Sequence, residues 1–259
     1  MPSEPLAGDD RVRLVATLLV GPEQLGGQRV VVGGDAYRHL FRARRLAVGE
    51  RLRVVDGRGG SRAAVVEEVE RSSATLRLEE ALVAAEPDLR LEVWCAALRP
   101  ERASWLVEKL GELGVRRIVF YDSERSQHRY ADRQQARFER VARSALEQSG
   151  GSVLPAIELD RRFDELLAEA PDAAAPATVV LDLRHPPQEP ALLRGAARMR
   201  LVIGPEGGFS PHEEERLAAR YALGVREGGW LPMRLGPRVL RVETAALVAS
   251  GLLLVAPWR

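Results

Sequence analysis

Two glycine-proline stretches carry residues whose types and spacing could do chemistry. "LVIGPEGGFSPHEEERL" runs from Leu201 to Leu217 and "LGPRVLRVETAALVAS" from Leu235 to Ser250. Each starts apolar, turns through Gly-Pro and enters a helical pattern. The first has the layout of a phosphate cradle. It lacks the lysine of a P-loop, however, and glycines at 204, 207 and 208 do not fit the G-x-G-x-x-G spacing. Glu206 sits where a phosphate would go. Ser210 is a good N-cap, Pro211 suits the first helical position, and Glu213, Glu214 and Glu215 complement the positive end of the helix. These carboxylates would repel an anion and accept a neutral or cationic ligand. By spacing alone the stretch fits a tight turn equally well. The second Gly-Pro loop changes the reading, because two such loops at the strand ends of one sheet would form the crevice in which α/β folds bind ligands.

The elements that must hold these loops fall into two groups. From Arg11 to about Glu86 the runs "RVVVGG", "RLRVVDG", "SRAAVVEEVE" and "ATLRLEEAL" are short, rich in Val and Leu, and separated by turns. "DAYRHLFRARRLAVG" interrupts them as a helix ending before Gly49. A small β-barrel over residues 11–86 is predicted. "AAEPDLR" is a linker, since Pro87 breaks regular structure. Over residues 91–259 strands and helices alternate. "LEVWCAAL", "VRRIVFYD", "ATVVLDL" and "MRLVIG" read as strands. Helices follow over "RASWLVEKLGELG", with Leu106, Leu110 and Leu113 on one face and Gly114 as its stop, over 133–149, from Pro211, and over 242–255. Such alternation predicts an α/β domain with a parallel sheet covered on both faces.

Composition bounds the partners. The 259 residues are 46% hydrophobic and 29% charged, with net charge +1. The polar N-terminus "MPSEPLAGDD" reads as a disordered lead without a signal-peptide core, and no apolar run is long enough to span a bilayer. A cytoplasmic protein is the expectation. One cysteine, Cys95, leaves no intramolecular disulfide, and no metal site is expected because His128, His185 and His212 lack ligand spacing. Cys95, Trp94, Trp105 and Trp230 read as packing residues. Lys109 is the only lysine, so arginine supplies the other basic residues. Residues 38–62 hold arginines at 38, 42, 44, 45, 51, 53, 58 and 62 against Glu50 and Asp56, yet across 1–90 basic and acidic residues are equal in number. A local patch that contacts phosphates and a solvated helix face are both open readings.

Taken together, the motifs resemble the RsmE family, bacterial 16S rRNA uridine-N3 methyltransferases of the SPOUT class. The resemblance rests on the two Gly-Pro stretches and on "WLVEKLGELGVRRIVFYDSERS", "ALEQSGGSVLPAI" and "HLFRARRLAVGERLRVVDGRGG", five motifs in order along nearly the whole chain. It implies a PUA-like RNA-binding barrel, a SPOUT domain with a trefoil knot, S-adenosylmethionine as cofactor, 16S rRNA of the small ribosomal subunit as partner, and a homodimer. It maps cofactor binding onto Leu181, Gly204, Pro205, Glu206, Gly207, Gly208, Leu235, Gly236, Leu240, Arg241, Glu243, Thr244 and Ala245. RNA binding maps onto Arg38, His39, Arg42, Arg44 and Arg45. The donor's sulfonium makes Glu206 intelligible, and a ribose or backbone hydrogen bond is an equal alternative for it.

Methylation at uracil N3 requires loss of the N3 proton, so a cation near O2 or O4 would favour the nucleophile. Arg125, Arg238 and Arg241 are the candidates, with Glu243 to orient one of them or to accept the proton. A SPOUT enzyme for another RNA base and a non-catalytic RNA-binding assembly factor are the alternative readings. The sequence departs from the family pattern at Arg99-Pro100, where lysine-glycine is usual, at Val242 for threonine, and at Gly151 for arginine.

Overall fold

A polar interruption near Pro87 divides the chain at Ala85 and Glu86 into two units, each with its own apolar core. The computed structural model describes residues 14–84, 86–168, 177–185, 195–223 and 229–255. The lead expected over residues 1–10 lies outside them.

The first unit holds strands β1 (Thr17–Leu19), β2 (Arg29–Val32), β3 (Arg51–Val55), β4 (Ser61–Val69) and β5 (Ala74–Ala81). Their order is β1-β3-β4-β5-β2, with β1 parallel to β3 and the other pairs antiparallel. The predicted barrel takes the form of a half-barrel, because β1 and β2 lie at the two edges and do not pair among the described residues. Alternation sets the inner face: Leu52 and Val54 of β3 and Ala74, Leu76 and Leu78 of β5 are buried. Two short helices, α1 (Pro22–Leu25) and α2 (Gly34–Tyr37), lie between strands. The helix expected to end before Gly49 stops earlier. It passes from α2 into a π-helical segment, Arg38–Ala43, and Leu46 is buried in the core beyond it.

The second unit is a parallel sheet of β6 (Arg90–Ala96), β7 (Arg117–Asp122), β8 (Ala156–Arg162), β9 (Ala177–Leu181), β10 (Arg198–Ile203) and β11 (Trp230–Met233). The order is β11-β9-β10-β6-β7-β8, and every neighbouring pair is parallel. Helices are α3 (Pro100–Glu112), α4 (Asp132–Ser149), α5 (Phe163–Ala168), α6 (Pro211–Tyr221) and α7 (Val242–Val255). Both faces are covered, as the alternation of elements predicted. Leu91, Val93 and Cys95 of β6 pack with Leu106, Leu110 and Ala246 on one face. Trp94 and Ala96 pack with Leu166 and Leu217 on the other.

Two strands were illegible for physical reasons. β8 is an edge strand with mostly polar side chains, and β11 is four residues long with Pro232 inside it, which an edge position tolerates. Gly114 ends α3 at φ +80°, as its position suggested, and a Cβ there would meet Pro87 Cδ at 2.7 Å. The Arg99-Pro100 departure forms the start of α3, with Arg99 at the N-cap and Pro100 in the first turn. Trp94 and Trp230 are buried as expected, whereas Trp105 is 41% exposed, because it lies on the face of α3 turned away from Leu106 and Leu110.

Candidate cofactor cavity

Parallel strands end their loops on one edge, and β9, β10 and β11 are adjacent there. The residues after each strand enclose a cavity of about 490 Å³. Leu181, Ile203, Met233, Leu235, Leu240 and Ala245 give it apolar walls, and Asp182, Glu206 and Glu214 give it carboxylates. That volume lies in the range of small-molecule sites.

The Gly204–Ser210 turn is held from below and from the side. The Tyr121 hydroxyl donates to the carbonyl of Ile203 at 3.0 Å. Arg125 Nη1 donates to the carbonyls of Gly207 and Phe209, both at 3.0 Å. Ser210 and Glu213 form the predicted capping box: the Glu213 amide donates to Ser210 Oγ at 3.1 Å, and the Ser210 amide donates to Glu213 Oε2 at 2.9 Å. Buried Glu213 also accepts from the Ser123 hydroxyl and the Glu124 amide, each at 3.0 Å. The loop after β7 therefore clasps the glycine loop after β10.

Two glycines are required by geometry. A Cβ on Gly204 would lie 3.0 Å from two atoms of the Phe209 ring. Gly236 has φ +128°, which side-chain-bearing residues rarely adopt.

The opposite wall carries a charge relay. Arg184 donates through Nε and Nη2 to the two oxygens of Asp182 at 3.0 and 2.7 Å, and its Nη1 meets Glu214 at 2.5 Å. The Arg184 amide and the Tyr221 hydroxyl also donate to Asp182, at 3.0 and 3.4 Å. Burial pushes the Asp182 carboxyl up, but the hydrogen bonds and charge of Arg184 outweigh it and hold it below its ordinary value. Behind the cavity, burial pushes the Cys95 thiol up, and Glu206 and Glu243 push it further.

Comparison with known proteins places this geometry. A family model described as an RNA methyltransferase domain matches residues 85–254, and one described as an RNA methyltransferase PUA domain matches residues 32–79. The ribosomal RNA small subunit methyltransferase E of Mycobacterium bovis is 31% identical over 87% of this chain and 86% of its own length. The chain belongs to the RsmE family of RNA methyltransferases. A Legionella pneumophila protein solved in complex with the cofactor SAM aligns with a TM-score of 0.74 and 28% identity, covering 95% of this chain and 98% of that one. An RsmE from Neisseria gonorrhoeae, solved with S-adenosyl methionine, shares the fold with a TM-score of 0.75 over 92% and 97% of the two chains, at 24% identity.

Of the cofactor residues mapped from the RsmE resemblance, Leu181, Gly204, Pro205, Glu206, Gly208, Leu235, Leu240, Arg241 and Ala245 line the cavity. Gly207 and Gly236 are in the same loops, and Glu243 and Thr244 in the first turn of α7, without lining it. Arg238 and Arg241 are exposed at the cavity, with no acidic partner among the described residues. Arg125 is spent on backbone carbonyls. Glu243 is buried, its Oε1 lies 3.7 Å from Arg102, and its Oε2 has no hydrogen-bond partner. Sequence reasoning missed Asp182, Arg184 and Glu214 as a set. Their spacing in the chain carries no signal, and only the adjacency of β9 and α6 joins them. The described residues contain no cluster fit for a metal ion.

In the first unit Arg38, His39, Arg42, Arg44 and Arg45 are all exposed. Arg38 pairs with Asp35, Arg42 donates to the Arg71 carbonyl at 2.7 Å, and Arg44 donates to the Val15 carbonyl at 3.1 Å. Arg45 sits at φ +58°, an uncommon conformation for a side-chain-bearing residue. The arginines of the strands are tied down instead. Arg51 pairs with Glu79 and Glu80, and Arg62 donates to the carbonyls of Leu25, Gly27 and Glu79. Of the eight arginines, Arg38, Arg42, Arg44, Arg45 and Arg58 are exposed, and Arg51, Arg53 and Arg62 are half-buried in β3 and β4.

Proposed function

We propose that this protein methylates N3 of a uridine in 16S rRNA of the small ribosomal subunit, with S-adenosylmethionine as the donor. The observation that carries the reading is the cavity itself, lined by apolar walls and carboxylates at the strand edge of an RsmE-family fold. Its residues fit the donor. Leu181, Leu235 and Leu240 would hold the adenine, and the close-approach glycines would let backbone groups reach base and ribose. Glu206 in the lining suits a sulfonium. When bound, the donor supplies an electrophilic methyl group.

The chain's own part is to favour the uridine anion and to position it. Arg238 and Arg241, exposed at the cavity and without an acidic partner among the described residues, are the cations for uracil O2 and O4. Arg125 braces the glycine loop. Among the described residues Glu243 pairs with Arg102 rather than with Arg125, Arg238 or Arg241, so both of its roles, orienting a cation and accepting the proton, stay open.

The proposal extends to the rest of the molecule. Arg38, His39, Arg42, Arg44 and Arg45 contact RNA from the first unit. The chain around the cavity forms the trefoil knot of the SPOUT class. A homodimer forms through an apolar face on which Trp105 of α3 and Val248 and Val255 of α7 stand exposed on helices packed together. The protein works in the cytoplasm, where its RNA is.

The test is digestion of 16S rRNA after incubation with the protein and isotopically labelled donor, followed by nucleoside mass spectrometry. Labelled 3-methyluridine is expected. Label in another base would reassign the substrate. Absence of donor binding by calorimetry, with and without RNA, would sink the reading in favour of a non-catalytic assembly factor.

A further inference from the structure

Helix α4 carries a stripe of arginines that the cavity does not use. Arg133, Arg137, Arg140 and Arg143 are all exposed. At about 3.6 residues per turn the first three spread over roughly 60° and all four over roughly 120° of the helix circumference, with Arg137 and Arg143 at the two margins. The buried face is opposite: Phe138, Ala142, Ala145 and Leu146 turn inward, and the helix packs on α3 and β8.

None of the four arginines has an ion pair among the described residues. Of the acidic side chains described on the helix, Glu139 accepts a hydrogen bond from Gln135 at 2.8 Å and Glu147 sits at the C-terminal end. Elsewhere in the same unit arginines do hold carboxylates: Arg102, Arg117, Arg161, Arg184 and Arg216 are examples. All four stay exposed without an ion pair among the described residues, although Glu139 and Glu147 each stand four residues from Arg143. Like charges three and four residues apart destabilise a helix, and an external anion relieves that repulsion.

The position also matters. The loop leading into α4 starts at Ser123–Arg125, the segment that clasps the glycine loop. The Arg133 end of the stripe therefore begins on the cavity's edge of the sheet and leads away from it.

We infer that this face of α4 is a second RNA-binding surface, in which the four guanidinium groups take consecutive phosphates of the substrate strand. Guanidinium forks match phosphate oxygens in pairs, and their spacing along the helix follows a backbone rather than a single ligand. The inference rests on the RNA methyltransferase reading above.

The experiment measures binding of transcribed 16S rRNA across a salt series, for the wild type and for Arg133→Gln/Arg137→Gln/Arg140→Gln/Arg143→Gln. Each lost phosphate contact lowers the slope of log K against log salt by about 0.7, so a drop of about 3 is expected, with donor affinity and melting temperature unchanged. The corresponding four-lysine variant keeps the wild-type slope to within about one contact. A wild-type slope in the glutamine variant overturns the proposal. A glutamine variant that binds RNA as before but changes from dimer to monomer also overturns it, and assigns the stripe to a subunit interface. If the wild type methylates rRNA while the glutamine variant binds like it, only this inference falls. If the wild type neither binds nor methylates rRNA, both readings fall together.

Discussion

Gly204 and Gly236 are needed for different reasons, and substitution separates them. At Gly204 the obstacle is the Phe209 ring, itself packed on Phe163 at 5.9 Å. Gly204→Ala should therefore overpack a buried cluster and lower stability by about 1–3 kcal/mol. At Gly236 a Cβ would meet nothing within 4 Å, and the obstacle is φ +128° alone. Gly236→Ala should leave the melting temperature nearly unchanged while its loop relaxes, weakening donor binding by about 10-fold, in line with a strain of about 1–3 kcal/mol. Melting curves and calorimetry on the two variants check the contrast, and equal effects on stability would refute it. Arg241→Ala should lower kcat by about 100-fold with donor affinity retained, the size expected for one lost electrostatic contact in the transition state. Single-turnover rates at saturating donor decide that. Asp182 gives the pH dependence. Its folded pKa lies below its ordinary 3.8, so its contribution to stability is complete above pH 3.8 and is lost as pH falls through the folded value. Asp182→Asn should be less stable than wild type at neutral pH, and the gap should narrow in acid below 3.8; denaturant titrations across that range measure it.

At the scale of elements, the glycine loop depends on its neighbours. Ser210 was legible as an N-cap because hydroxyl, proline and glutamate follow one another locally. That Glu213 also receives Ser123 and Glu124 was not legible, since β7 and β10 lie on either side of β6 and their loops meet only in the sheet. Ser210→Ala should cost about 1 kcal/mol for the cap alone. Glu213→Ala should cost more, because it leaves buried donors of two loops unsatisfied. Thermal unfolding orders the two, and a Glu213→Ala variant as stable as Ser210→Ala would show that the clasp contributes nothing. In the first unit the helix was read correctly as interrupting the strands, but its π-helical turn was not. The segment buries Leu40 and Phe41 in the half-barrel core while turning Arg38, His39 and Arg42 to solvent, and no intrinsic propensity encodes that spacing.

For the whole molecule, exposure of Trp105 on α3 and of Val248 and Val255 on α7 is the feature that the separate units leave uncovered. Trp105→Glu combined with Val248→Glu should convert the proposed homodimer to a monomer. Light scattering gives the mass directly, and an unchanged dimer would move the interface elsewhere.

The sequence by itself determined the two-part organisation, the parallel sheet covered on both faces and the two Gly-Pro loops. These follow from local signals: strand and helix periods, caps and glycines. Tertiary structure alone decided that β11 returns beside β9, that the loops after β9, β10 and β11 close on one cavity, and which arginines are spent. Arg125 is consumed by the carbonyls of Gly207 and Phe209, and Arg184 by neighbouring Asp182 and by Glu214 of α6, whereas Arg238 and Arg241 are left facing the cavity. An arginine's availability depends on what it meets in space, and chain spacing carries no record of that.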